Sequence, residues 1–155
     1  MSFQISGLDP APFRPLFGLS DAELAARGAR RMTVDAEHRF PDRIELRDLD
    51  RGEQAILVNH VHHDVDGPYR ASHAIFVLEG AGEAQTLIDE VPAVIRRRTI
   101  SLRAFDGAGA MIDAALVAGD QMAAAITRMF ETPAVAFLHA HYAARGCYAA
   151  RIDRA

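Results

Sequence analysis

The feature that most limits the possible folds is a succession of short apolar or alternating stretches, separated by turns, between residues 30 and 118. QAILVNHVH and YRASHAIFVLEG are joined by DVDGP, and TISLRAF is followed by DGAG and then by GAMIDAALV. Apolar runs or period-two alternation over about four to eight residues, bounded by Gly, Pro or Asp, are typical of strands joined by tight turns. A further pair, VAFLHAHY and CYAARID, flanks AARG. The pattern therefore predicts hairpins and a largely antiparallel sheet.

Helical signals are fewer. In LSDAEL, Ser20 and Glu23 have the spacing of a capping box, and Gly28 follows where a helix of about two turns would end. DQMAAAITRMFE has helical spacing of its apolar residues, with Asp120 as a candidate cap. EAQTLIDEVP is interpreted as a short helix, whereas FQI, RMTVDA and RIELRD are interpreted as strands. The fold class predicted is α+β: residues 1–155 form a single domain, with a sheet of about six to eight short strands and two or three helices.

Composition excludes several classes of function. The 17 basic residues are all arginine and are outnumbered by 21 acidic residues, so the net charge of -4 argues against a nucleic-acid binder. The absence of lysine excludes Schiff-base chemistry on a lysine side chain. Cys147 is the single cysteine, so neither an intrachain disulfide nor a cysteine-rich zinc motif can form. No signal peptide or membrane span is recognisable, and a cytoplasmic protein with no membrane partner is expected.

The first histidine-rich segment, NHVHHDVDGPYRASHAIFV, combines a strand, a turn and a second strand. Strand alternation places His60 and His62 on one face and His63 on the other, so the histidines of this hairpin cannot all converge. His60 and His62, with Asp64 or Asp66 just after them, are candidate ligands of a divalent-metal site. The competing interpretation is a set of solvated polar residues at a strand end.

The same segment contains a candidate anion-binding pair, Tyr69 and Arg70. If the strand continues, Arg70 shares a face with Ser72, Ala74 and Phe76. An arginine on a mainly apolar face needs a structural ion pair or an anionic ligand, and both alternatives stay open at this point.

The second histidine-rich segment is LHAHYAARGCYAARIDR. A hairpin closed over AARG pairs His141 with Tyr148 and His139 with Ala150, and it places Cys147 on the opposite face. A Cys–His nucleophile pair is therefore disfavoured, because the two side chains leave the sheet in opposite directions.

With these residues in view, the chain resembles the bacterial domain-of-unknown-function family number 1203. The resemblance covers nearly the whole length and depends on PFRPLFGLSDAELAARGA, GPYRASHAIFVLEG, RRRTISLRAFD and LHAHYAARGCYAARIDR. It implies a shared fold and no particular activity. The chain departs from the family pattern at Asp42, where cysteine is usual, and at Tyr142, where asparagine is usual. A thiol mechanism using the first of those positions together with Cys147 is therefore not open to this chain.

Three functional hypotheses follow, and the sequence leaves open whether the protein is an enzyme and which cofactor it uses. The first is a pocket for a small anionic molecule, with histidines for proton transfer. The second is the divalent-metal site, and the third is a non-enzymatic interaction domain that forms homo-oligomers. The residues of the first hypothesis are Tyr69, Arg70 and Arg145 for the ligand, and His73, His139 and His141 for catalysis.

Overall fold

The computed structural model describes residues 1–155 as nine strands and three α-helices. The strands are β1 (Phe3–Ser6), β2 (Arg30–Thr33), β3 (Gln54–His63), β4 (Ala71–Leu78), β5 (Thr86–Ile88), β6 (Thr99–Phe105), β7 (Met111–Ala118), β8 (Phe137–Tyr142) and β9 (Tyr148–Arg154). The helices are α1 (Asp21–Ala26), α2 (Ala93–Arg96) and α3 (Met122–Phe130). None of these helices has the length and apolarity needed to cross a bilayer.

The strands form two sheets. One contains six strands in the order β5-β1-β9-β8-β6-β7, and the other contains three in the order β2-β3-β4. All strand pairings are antiparallel, and the predicted hairpins β3–β4, β6–β7 and β8–β9 are all present. The α+β class and the antiparallel character are confirmed, although the strands divide between two sheets and do not share one.

The main core covers one face of the six-stranded sheet. Alternate residues of β6, Ile100 and Leu102, are fully buried there against Ile126 and Phe130 of α3. This alternation is what period two requires of a strand with one face on the core. The intervening residues of β6 lie on the face that is turned towards the three-stranded sheet.

Helix α1 confirms the predicted capping box. Ser20 Oγ accepts a hydrogen bond from the Glu23 backbone N–H at 3.2 Å, and Glu23 Oε2 accepts one from the Ser20 N–H at 2.8 Å. Leu24 of this helix is fully buried in a second core against the three-stranded sheet. The predicted cap at Asp120 is wrong, because that residue lies in a 3₁₀ turn and α3 begins after Gln121 without a side-chain cap.

Two local predictions are wrong for tertiary reasons. The segment read as a helix before Pro92 contains strand β5, because its residues pair with β1 at the sheet edge. The segment RIELRD is a compact loop closed by a bridge between Pro41 and Asp48. Its apolar residues point into different cores, Ile44 into the second and Leu46 into the main one, and Leu46 has a positive φ of 53°. Apparent alternation in the sequence therefore did not reflect a strand.

Candidate functional site

A bulge in β3 decides where the first group of histidines points. Val61 and His63 pair with two successive residues of β4, so His62 is an extra residue without a partner of its own. The bulge interrupts the alternation, and both imidazoles face the six-stranded sheet. The ring centroids of His62 and His63 lie 5.7 and 5.5 Å from that of His139. The prediction that His63 points the other way was therefore wrong.

A second bulge lies in the β8–β9 hairpin. His141 pairs with Tyr148, as predicted, but His139 pairs with Arg151 and not with Ala150. One extra residue in β9 accounts for this shift. Both histidines of β8 remain on the face turned towards the three-stranded sheet, while Cys147 packs against the main core. The predicted separation of Cys147 from His141 is confirmed.

Three histidines from three different strands converge between the sheets. One ring nitrogen from each of His62 (β3), His73 (β4) and His141 (β8) lies within 4.8 Å of the other two. The closest pair is His62 Nε2 and His73 Nδ1, at 2.8 Å. We call these three residues the histidine triad. His60 and Asp66, which the sequence offered as ligands beside His62, lie outside it.

Burial keeps these imidazoles neutral at pH 7. Desolvation lowers the pKa of His62 to about 4 and that of His141 to about 3, and it also lowers the pKa of His73. Neighbouring His139 has its pKa lowered to about 2 for the same reason. Removing a charged group from water disfavours the charged form, and a second cation nearby adds to the effect. Each neutral ring therefore offers one lone pair.

His141 has a defined tautomer and a free lone pair. Its Nδ1 lies 2.9 Å from the carbonyl oxygen of Gly146, which can only accept, so Nδ1 carries the proton. Nε2 then carries the lone pair, and this atom is buried without a hydrogen-bond partner. His62 Nδ1 and His139 Nδ1 are also buried and unpartnered. An unsatisfied buried polar group costs about 1–3 kcal/mol, so the site has unused capacity to bind a ligand.

Aromatic packing holds the triad in place. The phenol ring of Tyr148 is stacked on His62, with centroids 5.0 Å apart and planes at 13°. His63 lies beside the triad, where its Nε2 donates to the Gly109 carbonyl at 2.8 Å and its ring packs 4.3 Å from that of Phe105. These contacts restrict ring rotation, as a preorganised binding site requires.

A cavity of about 940 Å³ opens beside the triad. It lies between the loop 35–41, the edge strand β4 and the turn of the β8–β9 hairpin. His73 is the triad member that lines it. Its wall also carries Arg43, Arg98, Tyr142 and Arg145. The two sheets therefore enclose the triad, and His73 is the residue that connects it with the cavity.

The structure brings together only part of the anion site considered from the sequence. His73 and Arg145 line the cavity, and His139 lies beside the triad. Tyr69 and Arg70 lie in the exposed turn before β4, where Arg70 forms an ion pair with Asp64 at 3.1 Å. The structural ion pair was one of the two alternatives that the sequence left open for Arg70.

Sequence reasoning missed Arg43 and the hydroxyl of Tyr142. Arg43 is only 1% exposed and lies in the segment that the pattern presented as an ordinary alternating strand. Nothing in its spacing indicated burial. Tyr142 was identified only as a departure from a family pattern, and that departure was the available signal.

Fold and site together define an α+β protein in which two antiparallel sheets enclose a histidine triad beside an arginine-lined cavity. The family model described as "Protein of unknown function (DUF1203)" matches residues 39–154. Because this match covers most of the chain, the chain belongs to that family, and the resemblance seen in the motifs is confirmed. No curated protein and no solved structure matches the chain.

Proposed function

We propose that this protein binds a divalent transition-metal ion through His62, His73 and His141. The observation that carries the proposal is the convergence of three neutral imidazoles from separate strands, within 4.8 Å of one another. His60 lies opposite His73 in the β3–β4 hairpin, so strand alternation places His62 and His73 on one face, and the packing of the two sheets brings His141 to them.

The distances suit a metal after small side-chain movements. Two nitrogens bound to a tetrahedral zinc ion, each about 2.0–2.1 Å from the metal, are about 3.4 Å apart. The 2.8 Å contact between His62 and His73 would lengthen, and the wider separations would shorten. His141 already has the outer contact typical of a metal ligand, since its other nitrogen donates to a backbone carbonyl.

The ligand set favours zinc and related ions. Imidazole nitrogens suit Zn, Cu, Fe and Ni, whereas Mg and Ca require oxygen ligands, and the triad contains no carboxylate. Three protein ligands leave a fourth position, which is the arrangement of catalytic zinc sites. In this protein the fourth position would be open towards the cavity that His73 lines. A metal with an open position supplies Lewis-acid chemistry and a bound water that ionises near neutral pH.

Metal analysis and calorimetry of protein purified without a polyhistidine tag test the proposal. We expect one zinc ion per chain, with N/O ligands at about 2.0–2.1 Å by X-ray absorption. His141→Ala and the less buried His73→Asn should each weaken zinc binding by more than about a hundredfold, which exceeds the effect of outer contacts.

The matched controls separate this triad from other candidates. Asp66→Asn and His38→Ala change exposed residues outside the triad and should leave zinc affinity unchanged. Zinc affinity that depends on Asp66, or that survives both triad substitutions, would refute the assignment. Circular dichroism of each variant shows whether a loss of binding reflects a loss of folding.

A further inference from the structure

The cavity wall contains two arginines with no acidic partner. Arg43 is almost fully buried, and its guanidinium donates to the Tyr148 carbonyl at 2.8 Å, to the Pro41 carbonyl and to Cys147 Sγ. Arg145, in the exposed hairpin turn, forms no hydrogen bond or ion pair. Two carboxylates, Asp35 and Glu37, also line the cavity, but neither pairs with these arginines, and Asp35 accepts hydrogen bonds from backbone N–H groups of its own loop. Positive charge without a carboxylate partner at a concave site favours an anionic occupant.

A neighbouring arginine shows the contrast. Arg98 also lines the cavity, but both of its terminal nitrogens reach Asp48, so its charge is already neutralised. Arg39, the fourth arginine of the wall, lies 3.8 Å from the same Asp48. Arg43 and Arg145 are therefore the two cavity arginines without a carboxylate partner. Arg43 is held by its three acceptors, which leaves Arg145 as the movable donor.

The hydroxyl of Tyr142 provides an independent observation. The guanidinium groups of Arg43 and Arg98 both lie over its ring, with central carbons 4.9 and 5.1 Å from the ring centroid. Tyr142 is 6% exposed, and its hydroxyl is buried without a hydrogen-bond partner on a residue that lines the cavity. A phenol is protonated at neutral pH, so this hydroxyl is a donor there. Such a donor requires an acceptor.

Another part of the cavity wall is apolar. The rings of Phe40 and Phe76 are stacked with centroids 4.4 Å apart, and Met32 and Leu57 continue this surface. The volume of about 940 Å³ lies in the range of small-molecule sites, about 300–1,000 Å³. An inorganic anion would leave the apolar wall without a contact.

We propose that the cavity binds a small organic carboxylate, with its head group held by Arg145 and the Tyr142 hydroxyl and its apolar body against Phe40 and Phe76. This binding does not require the metal. One consequence rests on the proposed function: because His73 lines the same cavity, a metal on the triad would face the bound carboxylate, and zinc would strengthen its binding.

Calorimetry with defined probes tests this inference on metal-free and on zinc-loaded protein. Hexanoate and benzoate combine a carboxylate with an apolar body, acetate and inorganic phosphate lack that body, and hexanamide lacks the charge. We expect hexanoate and benzoate to bind, and acetate, phosphate and hexanamide to bind at least tenfold more weakly. Arg145→Ala should weaken hexanoate binding roughly tenfold or more, since charge-assisted hydrogen bonds are among the strongest. Tyr142→Phe should weaken it several-fold.

Arg51→Ala is the matched control, since it removes another exposed turn arginine that does not line the cavity, and hexanoate affinity should not change. The inference is overturned if no probe binds, if hexanamide or phosphate binds as tightly as hexanoate, or if Arg70→Ala abolishes binding while Arg145→Ala does not. Carboxylate binding to a chain that takes up no zinc would refute only the metal proposal. Zinc binding without carboxylate binding would refute only the carboxylate site.

Discussion

Replacement of Gly7 by alanine should destabilise the fold strongly, because Gly7 lies against the loop that carries Arg43. A Cβ atom at position 7 would be 2.1 Å from the carbonyl oxygen of Ile44 and 3.1 Å from that of Arg43. These are backbone atoms, so no side-chain rotation can relieve the contact. The loop would have to move away from β1 by about 1 Å or more before an ordinary van der Waals contact is reached.

The size of the expected loss in the free energy of unfolding follows from the interactions that this movement of the loop breaks. The loop is attached here by hydrogen bonds from the Leu8 N–H to the Arg43 carbonyl at 2.7 Å and from the Gln85 N–H to the Ile44 carbonyl at 2.8 Å. Two hydrogen bonds contribute about 0.5–1.5 kcal/mol each, and overpacking costs about 1–3 kcal/mol. The free energy of unfolding should therefore fall by about 2–6 kcal/mol.

Urea denaturation followed by circular dichroism measures this loss. Gly82→Ala is the control, because Gly82 is exposed and a Cβ there would have no atom within 4 Å. We expect the control to change stability by no more than about 0.5 kcal/mol. If Gly7→Ala lost less than about 1 kcal/mol, or no more than the control, the close approach of the loop to β1 would be refuted.

Two further predictions concern the helix cap and the acid stability of the three-stranded sheet. Ser20→Ala should lower the free energy of unfolding by about 1 kcal/mol, because the Glu23 N–H loses its acceptor. Urea denaturation of this variant measures the loss, and an unchanged free energy of unfolding would argue against the capping box. Hydrogen bonds from Arg31 lower the pKa of Glu79 below its usual value of 4.5. The pair therefore stabilises the fold fully above about pH 4.5, and this contribution is lost as the pH falls through the lowered pKa of Glu79. Glu79→Gln should therefore flatten the decline of stability between about pH 5 and pH 3, and an unchanged slope would exclude this pair as a cause.

Local signals in the sequence predicted the elements well where the local preference and the tertiary environment agree. The capping box at Ser20 and the hairpin over AARG formed as expected, because their hydrogen bonds join residues close in the sequence. The failures occurred where distant residues decide. Thr86–Ile88 became a strand because β1 offered an unpaired edge. Ile44 and Leu46 separated into two cores because the loop crosses between them.

The candidate site was predictable only in its parts. The sequence supplied His62, His73 and His141 as residues of interest, although it assigned the first to a metal site and the other two to proton transfer. Its proposed ligand partners, His60 and Asp66, lie outside the triad. The arginine singled out by the pattern, Arg70, forms an exposed ion pair with Asp64.

What the sequence by itself determined is the inventory: arginine as the only cationic side chain besides histidine, a single cysteine, and histidines placed on short strands that must pair in an antiparallel sheet. Tertiary structure alone decided which of them meet. The bulge in β3 moves His63 to the face of His62, and period-two reasoning cannot detect a bulge. The packing of one sheet on the other then brings His141 to His62 and His73, because that distance is set by long-range contacts and not by spacing along the chain.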